Sequence, residues 1–278
     1  MPSDVRARTE IQRLALGEVF AGLMSALREG YRQQGWPTVM MAEAFNLASG
    51  IYVNFLTGKP TTAYKLSLSL AVPRTTVQRQ LDKMVASGAA VRRGNEYQPS
   101  VSLLASPIID LDQATATIMR GAWTVGYKGE SLPVQTAVAV PRARDRLAIA
   151  ETFAGIVRLT KESYVRRGWP HTCAADTIYI QSTLYLAHRR ERPLSLQKLS
   201  EITGAPRATI LRRLAPAMAS GMVYKKQGTY QVAERFISAP VLDLDKACAI
   251  VRRAAAIIQS DRDETLAAGQ EEGFQEAG

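Results

Sequence analysis

The sequence predicts a mainly α-helical chain with small β-hairpins, arranged as two copies of one module. The segment that starts at Pro73, PRTTVQRQLDKMVASGAAVRRGNEYQ, returns 133 positions later, from Pro206, as PRATILRRLAPAMASGMVYKKQGTYQ. The match needs no gap, and roughly a third of the positions between Arg13 and Ala122 are identical to their partners. A period of this length is typical of a domain rather than a solenoid repeat, so we interpret the chain as a tandem duplication.

Helical periodicity is the second observation behind this fold class. Apolar residues recur three or four positions apart between Ile11 and Tyr31, which predicts one buried face of a long helix. The Gly-Trp-Pro sequence that follows ends this helix, because the residue before a proline avoids the helical region. A second helix is expected from about Met40 to Leu56, and PIIDLDQATATIM predicts a helix that closes the copy.

The third observation is a compact pattern in the middle of each copy. Thr62 and its partner Ser195 can cap a short helix, and Pro73 suits the first position of the helix that follows. Gly88 and Gly221 are expected to end that second helix.

A tight hairpin is predicted next. Short β segments are expected around Ala90-Arg92 and Tyr97-Gln98, joined by a Gly94-Asn95 turn. In the second copy the turn is Gln227-Gly228.

A helix, a turn, a second helix and a basic hairpin make up a winged helix-turn-helix. The pattern G-x-P-R-x-T-[VI], followed by L-x-x-x-x-x-S-G before a hairpin, resembles the bacterial MarR and IclR regulator families over about forty residues per copy. The long flanking helices are similar in layout to MarR, where terminal helices form a dimer. The resemblance implies two tandem winged helix-turn-helix domains in a pseudo-two-fold internal duplication. It also implies that the second helix of each motif lies in the major groove and the wing on the adjacent backbone.

Each copy departs from this pattern at one place. In the first copy, Leu70-Ala71-Val72 replaces the glycine expected in the turn. In the second copy, Pro216 is expected to kink or shorten the recognition helix.

The predicted boundaries follow from the repeat and from breaks in periodicity. We expect the first winged helix-turn-helix domain at 1–126, a linker at 127–145 and the second domain at 146–262. Residues 263–278 are acidic and predict a flexible tail.

The amino-acid composition indicates which class of binding partner and which cellular compartment to expect. Lys and Arg number 35 against 25 Asp and Glu, and the sequence pI is near 9.8, which favours nucleic acid over a membrane as partner. Two cysteines without a CxxC motif argue against a disulfide framework or thiolate zinc site. With no signal-peptide core and no apolar run of ~18–20 residues, the sequence predicts a soluble, cytoplasmic, nucleoid-associated protein.

The candidate DNA contacts are outward positions of the second helix of each motif and the basic pairs before each hairpin turn. Arginine can bind guanine with two donors and glutamine suits adenine, while the basic pairs suit phosphates. The alternative interpretation is surface cations paired with nearby carboxylates. The candidates are Arg74, Thr75, Thr76, Gln78, Arg79, Lys83, Arg92, Arg93, Arg207, Thr209, Arg212, Arg213, Lys225 and Lys226.

Together these observations predict a sequence-specific regulator of transcription that binds double-stranded DNA through successive major grooves. The two recognition helices differ at Thr75/Ala208, Gln78/Leu211 and Gln80/Arg213, so related but unequal half-sites are expected. A homodimer through the long helices is also open. Two alternatives remain: a plasmid replication initiator that binds origin repeats, and a protein-interaction scaffold of the condensin-accessory kind.

Other chemistry has weaker signals. Asp110-x-Asp112 and Asp243-x-Asp245 suggest helix caps more than paired catalytic carboxylates. The pair His171 and Cys173, with His188 as the other histidine, offers too few ligands for a metal site. No phosphate-binding loop or HExxH motif occurs, so neither an enzyme nor a cofactor is predicted.

Trp36 and Trp169 occupy identical Gly-Trp-Pro contexts. They suit either a core wedge between helices or the lining of a small-molecule effector pocket.

Overall fold

The computed structural model describes residues 3–35, 41–105, 108–166, 168, 175–234, 237 and 242–275. The chain is mainly helical, with two small antiparallel sheets. The first copy contains α1 (Ser3–Gln33), α2 (Met41–Leu56), α3 (Ala63–Leu70), α4 (Arg74–Ala86), β1 (Ala90–Arg93), β2 (Glu96–Pro99), α5 (Val101–Ala105) and α6 (Leu111–Thr124). The second contains α7 (Ala143–Arg166), α8 (Ala175–Arg189), β3 (Leu194–Ser195), α9 (Leu196–Thr203), α10 (Arg207–Ala219), β4 (Val223–Lys226), β5 (Thr229–Val232) and α11 (Leu244–Gln275).

Local capping signals start the short helices α3 and α9. The Thr62 hydroxyl accepts a hydrogen bond from the Lys65 amide at 3.2 Å. The equivalent Ser195 hydroxyl accepts from the Lys198 amide at 3.1 Å. Both predicted caps are confirmed, and each supplies one of the partners that a helix N-terminus lacks.

The turn between the paired short helices is left-handed in both copies. Gly204 has φ 69° after α9, and Ala71 has φ 50° at the equivalent position after α3. The absence of a glycine at this position therefore does not change the turn. The turn holds Ala71 in a left-handed conformation that costs an L-residue about 1–2 kcal/mol.

Pro216 does not shorten α10, so that part of the prediction is wrong, while the kink stays a prediction. Helices α4 and α10 both span 13 residues. The proline lies one turn from the helix end, where it removes a single backbone donor. Its own carbonyl still accepts from the Ser220 amide at 3.0 Å, so the last turn is retained.

Both predicted hairpins form. Arg92 lies opposite Tyr97 in the first, and Lys225 lies opposite Tyr230 in the second. The short strand β3 adds to β5 as a third strand that the sequence did not indicate. In the first copy this contact is one hydrogen bond, from the Tyr97 amide to the Thr61 carbonyl at 2.8 Å.

The two copies exchange their first helices. Helix α1 packs far more extensively on α8 of the second copy than on α2 of its own, and α7 packs far more extensively on α2 than on α8. Ala21 of α1 packs against the core of α8–α10, and its repeat partner Ala154 packs against the core of α2–α4. Neither copy completes its core without the first helix of the other.

A central core joins the exchanged helices and contains contacts between repeat partners. Phe20 and Phe153 occupy equivalent positions, and their rings stack with centroids 5.3 Å apart. Leu23, Met24 and Leu27 of α1 are fully buried in the same core. The apolar faces that suggested a homodimer are thus covered within one chain, and a homodimer through the long helices stays a prediction.

Two carboxylates cap helices across the copies. The Ala42 amide at the start of α2 donates to Asp176 Oδ1 at 3.3 Å. The Ala175 amide at the start of α8 donates to Glu43 Oε2 at 2.8 Å. Donors and acceptors are repeat partners, so the bonds are reciprocal, as in an interface around a two-fold axis.

The linker and the predicted tail are bound to the helical core. In the linker, the Leu132 amide donates to the Ala256 carbonyl at 2.9 Å, and α7 already begins at Ala143. Where a flexible tail was predicted, α11 continues to Gln275. Arg144 pairs with Glu264 at 2.5 Å, which ties the start of this acidic segment to α7. None of the described helices is long and apolar enough to cross a bilayer.

The left-handed turns give a matched pair of stability predictions. Ala71→Gly should raise the free energy of unfolding by about 0.5–1 kcal/mol, because glycine adopts positive φ without a steric penalty. Gly204→Ala should lower it by about 1 kcal/mol for the converse reason. Urea unfolding followed by circular dichroism checks both values. Equal effects of the same sign would contradict the account.

Asp176 gives a pH-dependent prediction. Burial, with the nearby Glu43 carboxylate, raises the pKa of Asp176 to about 6, against the opposing charge of Arg213. The folded protein therefore binds more protons than the unfolded chain between pH ~4 and ~6, and this stabilising contribution is lost as the pH rises.

The free energy of unfolding of Asp176→Asn should rise by about 1–2 kcal/mol relative to that of the wild type when the pH is raised from ~4 to ~7. The reason is that the neutral amide does not titrate. Urea midpoints at both pH values measure the difference. Asp245→Asn, at an exposed carboxylate, is the control. A pH-independent difference between wild type and Asp176→Asn would refute the prediction.

Candidate nucleic-acid interface

Helix α4 presents a basic face because its opposite face is buried. Val77 and Leu81 are completely buried and hold the helix to the first unit. Arg74, Arg79 and Lys83 are exposed on the other side. With Thr75, Gln78, Asp82 and Ala86, these cations line one open groove along the helix.

Helix α10 repeats this arrangement with fewer polar side chains. Ile210 and Leu214 are completely buried, as are their repeat partners in α4. Arg207 and Arg212 are exposed, at the positions of Arg74 and Arg79. Thr209 and its partner Thr76 are half-buried in both helices.

The hairpins carry the second group of candidate residues. Arg92, Arg93, Lys225 and Lys226 are all exposed on β1 and β4. The Arg92 guanidinium lies 5.7 Å from the Tyr97 ring centroid. The Lys225 ammonium lies 5.8 Å from the ring centroid of Tyr230, the equivalent tyrosine. Each hairpin thus holds one cation over an aromatic face and leaves the next cation exposed.

The exposed cations of these surfaces lack carboxylate partners. Within the described ranges, none of them forms an ion pair within 4.0 Å. Elsewhere arginines do pair: Arg142 contacts both Asp112 and Asp145, at 2.6 and 2.7 Å. Within that distance the described residues do not show the neutralising carboxylates of the alternative interpretation, although the charge of Arg207 contributes to lowering the pKa of the nearby Glu201. The cations are Arg74, Arg79, Lys83, Arg92, Arg93, Arg207, Arg212, Lys225 and Lys226.

Gln78 and Arg213, like Thr76 and Thr209, are half-buried rather than fully outward. Gln78 is half-buried and its amide donates to Asp82 Oδ1 at 2.9 Å and to the Tyr97 hydroxyl at 2.8 Å. Arg213 is also half-buried, and its Nε is enclosed without a hydrogen-bond partner among the described residues. Its charge acts on Asp176, at the start of α8. Gln78 therefore connects α4 to the hairpin of its own copy, although it also lines the basic groove.

The other sequence features either have a structural role in the described residues or lie outside them. The Gln113 amide donates to Asp110 Oδ1 at 3.0 Å, so Asp110 is a helix cap as predicted. Asp243 caps α11 in the same way through the Lys246 amide, at 3.3 Å. In the described ranges no three His, Cys, Asp or Glu side chains gather into a metal-binding group. Predicted features outside the described residues are Trp36, Trp169, His171 and Cys173.

Comparisons with protein-family models, curated proteins and solved structures returned no match for this chain. The functional assignment therefore depends on the geometry and charge of its own residues.

Proposed function

We propose that this chain is a sequence-specific, double-stranded DNA-binding transcriptional regulator built from two winged helix-turn-helix units. The proposal depends on one observation: exposed cations that form no ion pair within 4.0 Å among the described residues recur at equivalent positions on α4 and α10 and on both hairpins. The phosphates of nucleic acid supply anions for these cations at a regular spacing. A neutral or acidic protein surface does not present anions at such a spacing.

In this proposal α4 and α10 enter major grooves as recognition helices. Their first turns carry Arg74 and Arg207, where a side chain can reach base edges. Pro73 and Pro206 precede the helices at the N-cap position and provide no side-chain cap, so first-turn amides are available to a phosphate. The wings add contacts to the backbone through their paired cations, which increase affinity more than sequence choice.

The pairing of the two units follows from the shared core. Reciprocal contacts such as Phe20 with Phe153 favour a pseudo-two-fold relation between the copies. Dimeric regulators use such symmetry to reach two half-sites about 34 Å apart. Here the second unit is held by the same chain, so its effective concentration does not depend on assembly.

Selection from random double-stranded DNA with the purified chain tests the proposal. A regulator of this design should enrich two related half-sites, separated by about one helical turn of 10–10.5 base pairs. Absence of an enriched motif would favour the scaffold alternative and refute the proposal. Genomic mapping of the selected motif then separates promoter sites from clustered origin repeats.

Salt dependence provides a prediction about the basic surface. If roughly six to ten phosphates are neutralised, affinity should fall about a thousandfold or more between about 50 and 200 mM salt. Fluorescence anisotropy with a labelled duplex measures the slope of log Kd against log salt concentration. Salt-independent binding would contradict the placement of DNA on these cations.

Single arginine variants test the two recognition helices separately. Arg74→Ala and Arg207→Ala should each weaken binding by about 1–3 kcal/mol, or about 5- to 150-fold in Kd, if each arginine grips a base with two donors. The double variant should lose the sum, because the sites are independent. Arg120→Ala removes an exposed charge from α6 and serves as the matched control. Equal, small losses in all three single variants would move the binding surface elsewhere.

A further inference from the structure

Helices α4 and α10 carry opposite chemistry on one strip of their surfaces. Positions spaced i, i+3 and i+7 lie on the same face of a helix. In α4 the side chains of this strip are all polar: Thr75, Gln78 and Asp82. In α10 their repeat partners are all apolar: Ala208, Leu211 and Ala215. The strip therefore offers hydrogen bonds in the first copy and a hydrocarbon surface in the second.

The amide of Gln78 is held in one orientation by two neighbours in its own copy. A carboxylate can only accept hydrogen bonds, so the nitrogen of this amide, and not its oxygen, faces Asp82. That nitrogen, Nε2, donates to Asp82 Oδ1 at 2.9 Å and to the Tyr97 hydroxyl at 2.8 Å. A side-chain amide has two N–H donors, so both donors of Gln78 are used within the protein.

The oxygen of the same amide is the part of Gln78 that a ligand can use. Among the described residues Gln78 Oε1 accepts no hydrogen bond, and it is not enclosed. The side chain also lines the open groove along α4. In this groove Gln78 therefore acts as an acceptor that has no free donor.

An acceptor without a donor distinguishes the four bases in the major groove. Guanine and thymine present acceptors at O6 and O4, with which Gln78 Oε1 cannot pair. Adenine presents its N6 amino group and the N7 acceptor, but the bidentate contact of glutamine to N6 and N7 needs an N–H that Asp82 already holds. Cytosine presents only its N4 amino group. The orientation of the amide therefore favours cytosine over adenine, in contrast to the general suitability of glutamine for adenine.

Leu211 presents the opposite surface in the second copy. Its side chain is 42% exposed although it is large and apolar. Ala208 and Ala215, in the same strip, are exposed as well. Thymine is the base that carries a methyl group in the major groove, and contact with this methyl group removes apolar area of both partners from water.

We propose that the two halves of the DNA site are read by opposite chemistry. Helix α4 selects a base with an exocyclic amino group, cytosine before adenine, through Gln78 Oε1. Helix α10 selects thymine through contact with Leu211. Asp82 is a positioning residue, since it acts by holding the Gln78 amide. The inference rests on the proposed function, because it requires α4 and α10 to lie in major grooves.

Kd values for every single-base-pair variant of a selected duplex test this assignment. With the wild-type chain, one pair in one half-site should favour cytosine about 2- to 10-fold over guanine or thymine, as expected for one hydrogen bond. Gln78→Leu, which introduces the residue found at Leu211, should change this preference to thymine at the same pair. The other half-site should be unaffected and serves as the internal control.

Asp82→Ala, which introduces the residue found at Ala215, tests the positioning role. The change frees one N–H of Gln78, so the preferred base at that pair should shift from cytosine to adenine, which then meets both groups of the amide. Loss of a negative charge also strengthens binding, but it does so for every sequence alike, so a shift in base preference reports the hydrogen bond. Asp245→Ala, at an exposed carboxylate of α11, is the control. An unchanged preference in Asp82→Ala would contradict the positioning role.

Uracil differs from thymine only in lacking the methyl group, so it isolates the contact with Leu211. At the pair that α10 favours, replacement of thymine by uracil should weaken wild-type binding about fourfold. Leu211→Ala should remove most of this difference. Equal binding of thymine and uracil by the wild-type chain would overturn the assignment for α10.

Failure of this inference is distinguishable from failure of the proposed function. No enriched motif in the selection would refute both. A motif that requires the recognition-helix arginines but keeps the same base preferences in Gln78→Leu and Leu211→Ala would overturn this inference alone.

Discussion

The exchange of first helices between the copies is the constraint from which the rest of the structure follows. Because α1 completes the core of the second unit and α7 that of the first, the two units cannot be oriented independently. The carboxylates of Glu43 and Asp176 reinforce this by capping each other's helices across the copies. The relative placement of α4 and α10 is consequently set by a packed core rather than by the length of a linker. A rigid pair of surfaces is what recognition of two fixed half-sites requires.

Much of the local structure could be predicted because its causes are local. Thr62, Ser195 and the hairpin glycines act within a few residues of their positions, and the repeat required that each signal occur twice. Periodicity also indicated that Phe20 faces a core. Periodicity could not indicate which copy's core this is, because an apolar stripe shows which face of a helix is buried and not which helix packs against it. The exchange of helices was therefore outside the reach of sequence pattern alone.

Some features of the structure differ from the sequence pattern for physical reasons. Arg213 occupies an outward helical position by spacing, yet it is half-buried and its charge acts on the Asp176 carboxylate of α8. The acidic composition after residue 262 suggested fraying, but contacts with Arg144 and Ser131 tie the start of this segment to the rest of the protein.

Hydroxyl-radical footprinting on a selected duplex tests the central claim most directly, because it maps backbone contacts to single nucleotides. If α4 and α10 occupy successive major grooves, protection should fall in two clusters about one helical turn apart on one face of the duplex. Arg74→Ala should then weaken one cluster and Arg207→Ala the other. A single protected cluster, or uniform protection that both variants reduce equally, would contradict the account.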